Sequence, residues 1–173
     1  GVPLAGPSAN ISGRPSPTTA DDVFHDMNGR ISAVVDDGPC NIGLESTIIG
    51  VENGEIVVYR PGGITLEMLQ EIGPARMDSN LIVDTGHPKA PGMKYRHYAP
   101  KADLAIVEGP TEEVIKAINQ FVKEDAANGL QSGIIATEET ISQYPDGIVK
   151  CIGSRAAEET IAHNLYEVLR EFD

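Results

Sequence analysis

Residues 47–60 have the sequence TIIGVENGEIVVYR, which decides how the first part of the chain folds. β-Branched residues stand on both sides of a central Asn53-Gly54 pair. An Asn-Gly pair supplies the positive φ angles of a tight type I′ turn, and this turn matches the twist of two antiparallel strands. The segment therefore predicts a β-hairpin with strands at 47–51 and 56–60.

Proline, glycine and threonine follow the hairpin and predict where its second strand stops. Residues 61–63, Pro-Gly-Gly, cannot continue a central strand, and Thr65 is suited to cap a helix that extends to about Ile72. Arg60 lies where the strand gives way to this turn. Its guanidinium is well placed to face a bound anion, and a salt bridge at the surface is the simpler alternative from sequence.

Another helix is predicted upstream of the hairpin. Thr18 or Thr19 can accept backbone N–H bonds at its start, and Asp21 and Asp22 suit the positive end of the helix dipole. The apolar residues at 31–35 predict a short strand.

Residues 101–173 alternate predicted strands with predicted helices. The strands are expected at 104–107, 133–136 and 147–152, and the helices at 111–122 and 158–172. Parallel neighbouring strands need crossover connections, which helices usually supply. This part is therefore predicted to form a small parallel α/β layer, and the chain as a whole is expected to be of the α/β class.

Composition changes between these two parts. Residues 1–100 contain 13 of the 18 glycines and 10 of the 12 prolines. The change falls at residues 86–92, Gly-His-Pro-Lys-Ala-Pro-Gly, which continue neither a helix nor a central strand. We therefore expect a first domain portion at 1–86, a linker at 87–100 and a second domain at 101–173.

The net charge restricts the classes of partner. The chain has 13 Lys and Arg against 26 Asp and Glu, a net charge of −13 at pH 7. Sequence-independent binding of nucleic acid depends on many cationic side chains that displace counterions, so this balance argues against it. No apolar run reaches about 18 residues, the length that spans a membrane. We expect a soluble, cytoplasmic protein without membrane contact.

Cysteine and histidine indicate neither a metal site nor a thiol nucleophile. Cys40 and Cys151 are far apart in sequence, so a disulfide framework is not expected. His25, His87 and His163 have no second ligand at metal spacing. No metal is therefore assigned to these residues.

The most polar stretch, residues 7–18 (PSANISGRPSPT), ends where the first helix is predicted to begin. It combines four hydroxyl groups, the Asn10 amide and the Arg14 guanidinium. Backbone N–H groups, hydroxyls, a helix dipole and one cation together suit a phosphate group. An ordinary surface loop with a helix cap is the alternative.

Residues 91–100, PGMKYRHYAP, form the most aromatic part of the predicted linker. A flexible tether needs only Gly, Ser or Pro, so this composition indicates a segment that docks against something. It either contacts a base or holds two domains together.

Four motifs, taken in order, resemble those of the two-domain threonylcarbamoyl-AMP synthases. They are PSAN with Ser-Gly at 7–13, EST at 45–47, RPG at 60–62 and the ten-residue motif at 91–100. Each tripeptide is weak evidence, whereas the four in this order are specific, and the resemblance covers essentially all 173 residues. It implies part of a YrdC-like catalytic domain, joined by the linker to a smaller Rossmann-like domain.

The resemblance also implies that two parts of the family's chain are missing from this sequence. One is the N-terminal half of the catalytic domain, with a Lys/Arg-containing nucleotide site and much of the threonine pocket. The other is a strand and a Gly-rich helix at the extreme C-terminus. We therefore expect a fragment that is inactive by itself.

The activity implied by the resemblance is that of a nucleotidyltransferase. It condenses L-threonine, bicarbonate and ATP into threonylcarbamoyl-AMP and pyrophosphate, and other tRNA threonylcarbamoylation proteins use the product downstream. Mg²⁺ is implied by the ATP chemistry. A non-catalytic RNA-binding or tRNA-modification partner domain is the alternative, but the acidic charge and the lack of a basic stripe argue against direct tRNA binding.

The resemblance implies roles for seven residues. The residues expected to bind ATP are Ser8, Asn10, Ser16, Arg60 and Tyr98, and those expected to face threonine are Ser46 and Gly6. Arg60 would offer a phosphate a permanent cation with forked donors. Tyr95 is the second choice after Tyr98 for the nucleotide contact, and no residue is assigned an individual catalytic role.

Overall fold

The structure, a computed structural model, describes residues 1–3, 6–81 and 100–173. The chain divides into two compact units, Gly1–Ala99 and Pro100–Asp173. Each unit combines a β-sheet with α-helices, so the predicted α/β class is confirmed. Among the described residues, no helix is long and apolar enough to cross a membrane.

The sheet of the first unit has three strands in the order β1-β2-β3. Strand β1 (Ile48–Glu52) and strand β2 (Glu55–Arg60) are antiparallel, and β3 (Ala75–Met77) lies parallel to β2. The turn has Asn53 at φ 53° and Gly54 at φ 82°, which confirms the predicted hairpin. The three-residue strand β3 was too short to be predicted from its pattern.

The central strand β2 carries the core of this unit. The side chains of Val57 and Val58 are almost fully buried, and Leu69 of the following helix is buried as well. Burial of a side chain of this size stabilises the fold by about 1.5–3 kcal/mol. Packing of these side chains therefore fixes the position of β2 and of its last residue, Arg60.

A β-bulge interrupts the hairpin at the end that carries Arg60. Ile48 pairs with Arg60 and Ile49 pairs with Val58, so Tyr59 is an extra residue in the ladder. A bulge bends its strand and changes the direction of the side chains that follow it. The sequence gives no signal for this change.

Both predicted helices of the first unit are present with their threonine caps. Helix α1 (Ala20–Met27) begins after Thr19, whose side chain accepts a backbone N–H bond of the first turn at 3.2 Å. Helix α2 (Leu66–Gln70) begins after Thr65, which accepts in the same way at 3.3 Å. A short 3-10 helix follows β3 at Ser79–Leu81.

The second unit contains a parallel strand pair with helices before, between and after its strands. These elements are helix α3 (Thr111–Ala127), strand β4 (Gly133–Thr137), a 3-10 helix (Ile141–Gln143), strand β5 (Ile148–Gly153) and helix α4 (Glu158–Glu171). Strands β4 and β5 are parallel, which confirms the predicted layer. Its core contains Val122, Ile134, Ala136 and Tyr144.

Two of the predicted strands are absent from the described residues. Residues 31–35 and 104–107 have no ladder partner there and are irregular. Most of their apolar side chains are exposed, with Val35 at 92% and Ile106 at 82% of full exposure. An apolar run forms a strand only where a neighbouring strand supplies hydrogen bonds, and neither segment has such a neighbour among the described residues.

Glu139 holds together the loops that follow the two parallel strands. Its Oε1 accepts from the Ser154 hydroxyl at 2.7 Å and from the Arg155 backbone N–H at 2.8 Å. Hydrogen bonds with the side chains of Ser154, which contributes most, and of Thr137, together with the backbone N–H groups of Glu139 and Arg155, lower the pKa of Glu139 from 4.5 to about 2. The charged carboxylate therefore fixes the entry to helix α4.

The low pKa of Glu139 predicts a specific pH dependence of stability. The folded protein binds the proton less tightly than the unfolded chain, so the contribution of Glu139 is complete above about pH 4.5 and is lost as the pH falls towards 2. We expect the melting temperature of the native chain to exceed that of Glu139→Gln at pH 6, and this difference to shrink below pH 4.5. Thermal unfolding across this range tests it. Glu138→Gln, at the exposed neighbouring residue, is the control, and an equal pH response in the two variants would contradict the assignment.

Candidate functional site

The segment that enters strand β1 lies against the turn that leaves strand β2. The Gly63 N–H donates to the Glu45 carbonyl at 3.1 Å. The Thr47 hydroxyl donates to the Ile64 carbonyl at 2.6 Å and accepts from the Ile64 N–H at 3.0 Å. The EST motif is thus joined by hydrogen bonds to the two residues that directly follow the RPG motif.

Gly62 allows this close approach. A Cβ atom at Gly62 would overlap the Glu45 carbonyl oxygen and lie 2.6 Å from both the Ser46 carbonyl carbon and the Thr47 nitrogen. These neighbours are backbone atoms, which cannot rotate away as a side chain can. The glycine in the RPG motif is therefore required by the contact with the EST motif.

Arg60 is fixed on Ser46. Its Nε and Nη2 atoms donate to the Ser46 carbonyl at 3.1 and 2.7 Å, and Nη2 also lies 3.1 Å from the Ser46 hydroxyl. The Arg60 side chain is only 14% exposed. A forked guanidinium held on two sides of one residue has a defined direction.

Glu45 connects Arg60 to the Ser/Asn loop at residues 7–18. One of its carboxylate oxygens, Oε1, accepts a hydrogen bond from the Ser16 hydroxyl. The other, Oε2, lies 3.8 Å from Arg60 Nη2, and the Glu45 side chain is 16% exposed. No role was predicted for Glu45, and its place in the EST motif was the only signal available.

The Ser/Asn loop is held by its own polar side chains. Asn10 Nδ2 donates to the carbonyls of Ile11 and Arg14, both at 3.2 Å. Arg14 lies 3.5 Å from the buried carboxylate of Asp26 in helix α1. These contacts give Asn10 a supporting position inside the loop and tie the loop to the helix that follows it.

The structure brings three of the seven predicted site residues together. Ser16, Ser46 and Arg60 meet around Glu45. Asn10 bonds within its own loop, and Gly6 and Ser8 are exposed. Tyr95 and Tyr98, like the linker at 87–99, lie outside the described residues.

Two family models together match nearly the whole chain. The one described as "Threonylcarbamoyl-AMP synthase, C-terminal domain" matches residues 64–173, and the one described as "Telomere recombination" matches residues 1–62. The chain belongs to the threonylcarbamoyl-AMP synthase family. The two matches meet in the turn that follows Arg60, with Gly63 between them.

Relatives and a solved structure agree with this membership. Threonylcarbamoyl-AMP synthase from Bacillus subtilis is 47% identical over the whole chain, and the one from Pyrococcus abyssi is 41% identical over 99% of it. The chain spans about half, 49%, of each of these relatives. The crystal structure of the P. abyssi protein complexed with L-threonine superposes with a TM-score of 0.82 at 39% identity, covering 96% of this chain and 48% of that one.

The close contact at Gly62 gives a testable prediction. Gly62→Ala places a Cβ against fixed backbone, so we expect it to lower the free energy of unfolding by about 1–3 kcal/mol, the usual cost of overpacking. Denaturant unfolding followed by circular dichroism measures this loss. Gly73→Ala is the matched control, because nothing lies within 4 Å of a Cβ at that position. Equal stability of the two variants would show that the EST and RPG segments move apart without cost.

Proposed function

We propose that this chain supplies part of the substrate site of a threonylcarbamoyl-AMP synthase. The full-length enzyme condenses L-threonine, bicarbonate and ATP into threonylcarbamoyl-AMP and pyrophosphate, for the threonylcarbamoyladenosine modification of tRNA. It is a nucleotidyltransferase, because an adenylyl group passes from ATP to the carboxylated amino acid. Family membership supports this proposal, and the cluster of Ser16, Glu45, Ser46 and Arg60 is the observation that carries it.

The reaction needs a cation and directed hydrogen-bond donors. The amine of threonine combines with bicarbonate to give a carbamate and water, and a carbamate oxygen then bonds to the α-phosphorus of ATP as the bond to pyrophosphate breaks. Fixed donors that face the developing charge are the main way in which proteins favour such a step. Arg60, held on Ser46, is the cation that we assign to the phosphates.

Ser46 is the residue that we assign to threonine. Its hydroxyl lies next to the guanidinium of Arg60, so an amino acid bound there would lie beside the nucleotide phosphates. The P. abyssi relative, solved as a complex with L-threonine, supports an amino-acid site in this family. The threonine contact at Gly6 and the nucleotide contacts at Ser8, Asn10 and Tyr98 remain predictions.

Mg²⁺ enters the proposal only as the counter-ion of ATP. Within the part of the chain that the structure describes, no group of three or more His, Cys, Asp or Glu side chains is arranged to hold a metal ion. Mg²⁺ commonly binds substrate phosphates with one or two carboxylates, so it needs no dedicated protein cage. We therefore assign no residue and no step to the metal.

The partners in this proposal are the downstream tRNA threonylcarbamoylation proteins, and the charge of this chain argues against direct tRNA binding. A net charge of −13 opposes contact with a polyanion. Proteins that bind nucleic acid through phosphates show a basic face and a steep salt dependence. The product of the synthase, rather than the synthase itself, reaches the tRNA in this proposal.

These 173 residues by themselves are expected to show little or no synthase activity. The chain spans about half of its relatives, and groups that act as a unit lose orders of magnitude in rate when several are removed. Pyrophosphate release that depends on both threonine and bicarbonate measures this activity, with the full-length protein as the positive control. Robust release by the short chain would contradict the prediction.

Arg60→Ala in the full-length enzyme tests the phosphate assignment. We expect ATP binding to weaken by about 1.5–3 kcal/mol, the usual worth of a hydrogen bond to a charged group. Arg60→Lys should recover only part of this loss, because lysine lacks the forked donors. Calorimetric titration with ATP measures both, and Arg30→Ala, at an exposed arginine of the same unit, is the control. Unchanged ATP affinity in Arg60→Ala would place the phosphates elsewhere.

A further inference from the structure

The two serines of the cluster have hydrogen bonds whose direction is fixed by their partners. An ionised carboxylate only accepts, a guanidinium only donates, and a hydroxyl has one proton to give. Ser16 is bonded to the carboxylate of Glu45, so Ser16 is the donor in that bond. Ser46 is bonded to the guanidinium of Arg60, so Ser46 is the acceptor.

The two hydroxyls therefore offer a ligand opposite hydrogen-bonding functions: Ser16 offers an acceptor, and Ser46 offers a donor. The single proton of Ser16 is directed to Glu45, and what remains for a ligand is the lone pairs of its oxygen. Ser46 keeps its proton as a group that it can donate. A ligand with an acceptor, such as a carboxylate, fits Ser46, and a ligand with an N–H or O–H group fits Ser16.

We propose that Glu45 is a specificity-determining positioning residue, which makes Ser16 an acceptor for a donor group of the nucleoside part of ATP. This inference rests on the proposed function, because it takes Ser16 to lie at the nucleotide. The α- and β-phosphate oxygens of ATP carry no proton at neutral pH and the γ-phosphate is mostly ionised, so the phosphates are poor donors to Ser16. The nearby charge of Glu45, whose side chain is 84% shielded from solvent, also repels them.

The donor groups of the nucleoside are the two ribose hydroxyls and the adenine amine. The phosphates then lie on the side of Arg60, and the nucleoside lies on the side of Ser16. Glu45 lies between these two sides, because its Oε1 faces Ser16 and its Oε2 faces Arg60. In this way a residue that contacts no substrate decides which end of ATP the loop accepts.

The test combines a protein variant with changes in the ligand. Dissociation constants are measured by calorimetry for full-length wild-type enzyme and Ser16→Ala, with ATP, 2′-deoxy-ATP, 3′-deoxy-ATP, purine riboside triphosphate and tripolyphosphate. We expect Ser16→Ala to weaken ATP binding by about three- to tenfold, the usual worth of one neutral hydrogen bond. It should leave tripolyphosphate binding unchanged. One analogue should bind wild-type enzyme and Ser16→Ala equally well. The group that this analogue lacks is the donor that contacts Ser16.

Glu45→Gln tests the positioning role directly. The amide of glutamine can donate to Ser16, so the Ser16 proton is no longer directed to residue 45. The dissociation constants for ATP and for the identified analogue should then differ by no more than about twofold. Glu71→Gln, at an exposed glutamate of the same unit, is the control, and melting temperatures show that each variant is folded. Retention of the full preference in Glu45→Gln would overturn the role of Glu45.

Failure of the inference and failure of the proposed function give different results. Equal loss for ATP, its analogues and tripolyphosphate in Ser16→Ala would show that Ser16 faces a phosphate, which overturns the inference and leaves the synthase proposal standing. No loss with any ligand would remove Ser16 from the nucleotide site and overturn the inference. Wild-type enzyme that binds no ATP would overturn both.

Discussion

The backbone contact at Gly62 is the constraint on which the cluster around Glu45 depends. The segment before β1 and the turn after β2 approach so closely that a Cβ would overlap the Glu45 carbonyl. This contact brings Ser46 within reach of the Arg60 guanidinium, and the two hydrogen bonds of Thr47 to Ile64 keep it in register. A charged side chain placed by backbone contacts has a defined direction in the absence of any ligand.

The acidic composition of the chain has a local exception at this cluster. One arginine is held against one glutamate with both side chains largely buried, and the pair is bridged to two serines. Buried charges are tolerated when their remaining donors and acceptors are satisfied. The overall charge therefore says little about this site, whereas the partners of Arg60 and Glu45 define its chemistry.

Local sequence signals predicted the local structure well. The Asn53-Gly54 turn and the threonine caps at Thr19 and Thr65 act over three or four residues, so the sequence alone contains the cause. The strands expected at 31–35 and 104–107 failed because pairing depends on distant residues. For the same reason the bulge at Tyr59 and the position of Glu45 between Ser16 and Arg60 became visible only in the fold.

The bond between Ser16 and Glu45 has a consequence for the order in which the first unit folds. Its two residues are 29 positions apart, whereas the hairpin pairs residues joined by a two-residue turn. Hairpins form in about 1–10 μs, and longer loops close at a greater entropic cost. We therefore expect the hairpin to form before the loop at 7–18 docks on Glu45. Interactions that form after the transition state affect the rate of unfolding more than the rate of folding, so we expect loss of the Ser16–Glu45 bond to shorten the lifetime of the native state and to change the folding rate little.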